Sequence, residues 1–114
     1  MKEYIYRVED ELGQGCYSAH LPELERMYEN HAYNFPNYPR PQEDIGIKRI
    51  AEEKEVCGFK DIEQALCWFS IEDLDLLNAC GFELKKVEVE AITAIGERQV
   101  LAVRKEKALY ETCK

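Results

Sequence analysis

FELKKVEVEAITAIGERQVLAVRKE, from Phe82 to Glu106, is the stretch on which the fold turns. Its first part, Phe82–Ile92, is rich in β-formers. Phe82 and Leu84 share one parity of the alternation, and Val87 and Val89 share the other. A strand with its apolar residues on alternate positions buries one face. The change of parity near Lys85–Lys86 predicts a bulge or a sharp twist there. Thr93–Glu97 is a turn carrying Gly96. Arg98–Glu106 returns as a strand, and its unbroken Val100–Val103 run predicts an interior place in the sheet. Two strands joined by so short a turn form an antiparallel hairpin.

Working outward, Glu3–Asp10 (EYIYRVED) alternates Tyr4, Tyr6 and Val8 against Ile5 and Arg7, which adds a third strand. The segments between the strands are helical in pattern. Leu21–Asn30 has Pro22 in its first turn and carries Leu24, Met27 and Tyr28 inward, with Leu21 beside them. Glu43–Val56 is expected to be a helix interrupted by Gly46, with Ile47, Ile50 and Ala51 buried. Asp61 is an N-cap for a helix through Phe69, with Ile62, Ala65, Leu66 and Phe69 as its apolar stripe. Trp68 lies off that stripe. Ser70 caps the next helix, whose inward residues are Ile71, Leu74, Leu77 and either Leu76 or Cys80; Gly81 ends it. The expectation is one α+β domain over residues 1–114, with a small antiparallel sheet of about three strands and helices packed on one face.

One segment breaks these patterns. HAYNFPNYPRPQED, His31–Asp44, holds Pro36, Pro39 and Pro41 with Tyr33, Phe35 and Tyr38. Each proline fixes φ, lacks an N–H and biases its predecessor to extended backbone. An extended loop is expected throughout. Tyr33, Phe35, Tyr38 and Arg40 are of the residue types enriched at binding hot spots, and prolines lower the entropy lost when such a loop is ordered. The same aromatics could instead fold back on the sheet or on Trp68, as a strap that roofs a pocket.

Composition narrows the function classes. Fifteen basic against 23 acidic residues give a net charge of −8, which disfavours direct binding to a phosphate backbone. It suits an acidic surface offered to a basic protein. No apolar run approaches the ~20 residues of a membrane span. The first residues, MKEYIYRVED, carry acids and lack an apolar signal core, so a cytoplasmic protein is expected. Cys16, Cys57, Cys67, Cys80 and Cys113 form no C-x-x-C pair and no zinc-site spacing with His20 and His31, so reduced structural thiols and no metal are expected. There is no P-loop and no G-x-S-x-G elbow, and Gly13 and Gly15 make only a turn.

Two resemblances add to this. Arg7 in the first strand, Tyr17 and Ser18 after the glycine turn, and Glu88 and Glu90 on the hairpin follow the order of groups in ADP-ribosyltransferases, which the chain resembles from about Arg7 to Glu90. The resemblance implies an enzyme or an NAD or nucleotide binder. Arg7 would hold the NAD diphosphate, Tyr17 or Ser18 would act centrally, and Glu90 would steady the developing oxocarbenium ion. The whole chain also resembles small accessory proteins of phages and prophages, on YRVED…GQGCYS, the proline loop, and CGF…WF…L…GF. That resemblance implies a binding protein, without cofactor, that engages or inhibits a host protein such as a defence or nucleic-acid enzyme. Tyr33, Phe35, Tyr38 and Arg40 are its candidate contacts.

Overall fold

The structure is a computed structural model, and it describes residues 2–34 and 37–106. It is an α+β fold. Strand β1 (Glu3–Glu9) leads to a short helix α1 (Cys16–Ala19), a single 3-10 turn (Pro22–Leu24) and helix α2 (Glu25–Tyr33). A second 3-10 turn (Pro41–Glu43) precedes β2 (Glu55–Gly58). Helices α3 (Ile62–Trp68) and α4 (Ile71–Ala79) follow, then the hairpin of β3 (Glu83–Ile95) and β4 (Val100–Arg104).

All four strands join one antiparallel sheet in the order β1-β3-β4-β2. The outer strands then meet. Tyr6 and Phe59 exchange both backbone hydrogen bonds at 2.7 Å, so the sheet curls until β1 touches the residue after β2. Gly58 permits that contact, since a Cβ there would lie 2.7 Å from both the Ile5 Cδ1 atom and the Tyr6 carbonyl oxygen. The curl joins edges that would otherwise expose unpaired backbone.

Both sheet faces are apolar, which accounts for the parity change in β3. Val8 and Phe82, with Leu84 packed against them, meet Leu24, Met27, Ala65 and Leu77 on the helical side. Ile5, Val87, Val89, Val100 and Ala102 form a second cluster inside the curl. The expected bulge at Lys85–Lys86 is absent, for β1 and β3 stay in register from Glu3↔Val89 to Glu9↔Glu83. The register shifts lie on the other side of β3, between Val89 and Ala91 and between Ile92 and Ala94. Bulges bend a strand and increase its twist, which suits the closing of the curl.

Three further expectations are corrected. The sheet has four strands, because the end of the segment expected as a helix over 43–56 is β2. Gly46 at φ +99° and Lys48 at φ 54° break the helix, and a Cβ on Gly46 would stand 2.6 Å from the Ile95 carbonyl oxygen. Ile50 is consequently exposed. In α3, Gln64 and Trp68 turn inward with Ala65 and Phe69, while Ile62 and Leu66 face out. The Gln64 amide rotates the stripe. Its Nε2 donates to the Glu97 carbonyl (3.1 Å) and its Oε1 accepts from Lys60 N–H (2.9 Å). In α4, Leu77 is fully buried but Ile71 is exposed. The expected caps stand: Asp61 accepts from Gln64 N–H (2.8 Å) and Ser70 Oγ from Asp73 N–H (3.0 Å).

A buried carboxylate holds the far end of β2. Glu55 accepts from Arg49 at 2.7 and 2.8 Å, from Glu52 N–H at 2.8 Å, and from the Thr93 hydroxyl. The Arg49 hydrogen bonds, opposed by desolvation, lower its pKa from 4.5 to about 2. A depressed carboxylate stabilises the fold above its unfolded pKa, and that contribution fades as pH falls from about 4.5 to about 2. It is worth at most roughly 3 kcal/mol, reduced by solvent around the half-exposed Arg49. Thermal unfolding of Glu55→Gln should therefore show lower stability at pH 7 and a shallower loss below pH 4.5 than the wild type. Parallel curves for the two proteins would contradict this assignment.

Among the described residues, no helix is long and apolar enough to cross a membrane.

Candidate functional site

The segment from Asn37 to Asp44 is fastened to the body at Pro39 and at Asp44, and is braced internally between them. Gln99 Nε2 donates to the Pro39 carbonyl (2.6 Å). Arg40 and Glu43 close a small box, in which the Arg40 N–H, Nε and Nη2 all donate to the Glu43 carboxylate at 3.1 Å. Asp44, 1 % exposed, accepts from the backbone N–H groups of Glu97, Arg98 and Gln99 at 2.8 to 3.3 Å. A Cβ on Gly96 would sit 2.6 Å from that carboxylate, so the turn needs glycine there. The expected loop is shorter than its sequence suggested: His31–Tyr33 complete α2, and Pro41–Glu43 form one 3-10 turn.

Behind this segment lies a cavity of about 610 Å³. Tyr38 and Pro39 wall it on the loop side, Arg7 and Phe59 on the sheet side, and Tyr17, His31 and Trp68 on the helical side. Tyr38 stacks on His31 with ring centres 4.0 Å apart and meets Trp68 edge-on at 5.4 Å. The strap arrangement is thus realised by Tyr38, and Trp68 packs beneath it.

A hydrogen-bond relay runs through the helical wall. Trp68 Nε1–H donates to the Tyr17 oxygen (2.8 Å), the Tyr17 O–H donates to His31 Nδ1 (2.5 Å), and His31 Nε2–H donates to Asp73 (3.1 Å). This order requires neutral imidazole with its proton on Nε2. Burial lowers the His31 pKa, against the pull of Asp73, and burial pushes the Tyr17 phenol up although part of its ring is exposed. Both groups stay uncharged near neutrality. Burial likewise raises the Cys16 thiol to about 12, outweighing Arg7, which makes it a packing residue rather than a nucleophile. Desolvation also raises Cys57.

Arg7 is the charged group of the sheet wall. Its Nε donates to Glu9 (3.1 Å) and its Nη1 to the Cys57 carbonyl (2.7 Å). Glu9 also accepts from Arg104 Nη1 at 2.6 Å and Nη2 at 3.3 Å. Two guanidiniums thus share one enclosed carboxylate.

Of the residues singled out from sequence, Arg7 and Tyr17 line the cavity together. Ser18 is exposed on α1 and Glu90 is exposed at the first register shift of β3, and neither lines it. Arg7 pairs with Lys85, five residues along β3 from Glu90, or about 17 Å at the ~3.3 Å rise of a strand. The order of groups that resembled an ADP-ribosyltransferase does not assemble into one site. Tyr33 is 88 % exposed at the end of α2, and Arg40, whose side chain is 70 % exposed, borders the cavity from the loop. Tyr38 points inward, and Phe35 lies outside the described residues, as does Cys113. His31, Asp73, Glu9 and Gln99 were not singled out from sequence. His31 had a signal: it stands seven residues after Leu24 and four after Met27, on the inward stripe of α2. Glu9, Asp73 and Gln99 meet partners 95, 42 and 60 residues away, which no local pattern encodes.

A family model described as the bacteriophage T4 Y00F protein matches residues 1–114. No curated protein and no solved structure matches the chain. Covered end to end by that model, the chain belongs to the bacteriophage T4 Y00F protein family.

Proposed function

We propose that this phage protein is a non-catalytic binding protein that engages, and through that contact inhibits, a basic host protein such as a defence or nucleic-acid enzyme. The observation that carries this reading is the fastening of Asn37–Asp44. A segment held by Gln99, by the Arg40–Glu43 box and by Asp44 pays little entropy on docking. It carries Arg40, and Tyr33 stands at the end of α2; both side chains are exposed. The net charge of −8 supplies complementarity to a basic partner and speeds encounter at low salt.

The test is capture of host proteins on the immobilised chain, repeated with Tyr33→Ala and Arg40→Ala. Both side chains are exposed, and an exposed ion pair such as Arg40–Glu43 contributes little to stability, so melting temperatures should hold to within a few degrees. Support requires a basic protein whose capture weakens with salt and falls about tenfold or more in each variant, the size of a hot-spot loss. Capture unchanged in both variants would remove this surface from the function.

A further inference from the structure

We propose that the cavity behind the loop is a binding site for a small aromatic acid, with the ring among the aromatic walls and the single anionic group on Arg7. This goes beyond the protein-docking reading, which rests on the exposed side chains of Tyr33 and Arg40, and does not depend on it.

Size and lining come first. About 610 Å³ falls within the range of small-ligand pockets, and Tyr38, Phe59, Trp68 and Phe69 supply flat apolar walls. The charge comes from the sheet. The Nε and Nη1 atoms of Arg7 are engaged by Glu9 and the Cys57 carbonyl, but no described residue takes Nη2. Gly15, which also lines the cavity, leaves the approach open: a Cβ there would stand 3.0 Å from Nη2. Arg7 and Arg104 share Glu9, so one positive charge is uncompensated in an enclosed setting where an anion is attracted strongly. The other polar groups are committed. The Tyr17 hydroxyl and His31 belong to the relay ending at Asp73, and Arg40, which also lines the cavity, is balanced by its pairing with Glu43. A ligand with one negative charge and an apolar body satisfies what is left.

Trp68 is the only tryptophan in the chain and lines the cavity, so its emission reports entry. Two probes share one body: 8-anilinonaphthalene-1-sulfonate carries the anion and N-phenyl-1-naphthylamine is neutral. Titrated into the full chain, the sulfonate should quench Trp68 at concentrations roughly tenfold to a hundredfold lower than the neutral probe, as expected of a hydrogen bond to a charged group. Arg7→Gln should abolish that preference, because it leaves Glu9 and Arg104 as a balanced pair. Gly15→Ala is an independent check. Its φ of −71° suits alanine, and the added methyl crowds Nη2, so the preference should shrink with the fold intact. Equal affinity for both probes in the wild type would overturn the anion site, as would a preference that survives in both variants. Failure of both probes to quench Trp68 would overturn the cavity as a ligand site, while leaving the protein-docking reading to its own test.

Discussion

Glu9→Ala should be among the most damaging single substitutions in this protein, with a loss of about 3–5 kcal/mol. Glu9 is 3 % exposed and accepts from both Arg7 and Arg104, whose side chains are themselves mostly covered. Removing it leaves two like charges enclosed without an anion. Domains of this size hold about 5–15 kcal/mol in all, so the melting temperature should fall by roughly 15 °C or more. The cause can be separated from simple loss of packing. Glu9→Ala combined with Arg7→Met removes one of the two cations and should recover part of the loss. A single variant that melts within a few degrees of the wild type would show that water reaches these guanidiniums and that the trio is not enclosed.

The second large effect is expected at Asp44, through the backbone rather than through charge. Its two oxygens collect the amides of Glu97, Arg98 and Gln99, and so fix the turn of the β3–β4 hairpin to the loop 53 to 55 residues earlier. Asp44→Ala would leave the Arg98 and Gln99 N–H groups without acceptors under cover, at about 1–3 kcal/mol for each that water does not reach, while the Glu97 N–H keeps the Ile45 carbonyl at 2.9 Å. A total of about 3 kcal/mol or more is expected. Asp44→Asn should recover little, because one of its two acceptor oxygens becomes a donor facing other donors. Hydrogen exchange gives the local readout. Protection of the Arg98 and Gln99 amides should drop in both variants, and unchanged protection would mean the turn holds itself. The same change should loosen Pro39 and Tyr38, which depend on the fastened loop to wall the cavity.

Much of the architecture follows from short-range chemistry. The Asp61 and Ser70 caps, Gly81 after α4, the alternation in β1 and the unbroken apolar run in β4 are patterns of a few residues, and the elements they predict stand in the structure. The missed strand β2 shows the limit. Its four residues carry no alternation long enough to read, and the helical pattern before it fails at Gly46, which the approach of Ile95 demands. The inward side of α3 is likewise undecided by local pattern. Ile62 and Leu66 satisfy helical spacing as well as Trp68 does, and the choice falls to a glutamine that finds the hairpin turn.

By itself, then, the sequence determined the fold class, the hairpin, the capped helices and the unusual character of the proline segment, because each rests on backbone preference or hydrophobic period. It also supplied Arg7, Tyr17, Tyr38 and Trp68 as residues of interest. Only the tertiary structure decided what they do together. The curl that brings β1 to Phe59, the sharing of Glu9 by two arginines, the relay from Trp68 to Asp73 and the staple at Asp44 each join residues distant in the chain. Their energies depend on enclosure and on partner geometry, and both exist only once the core has closed.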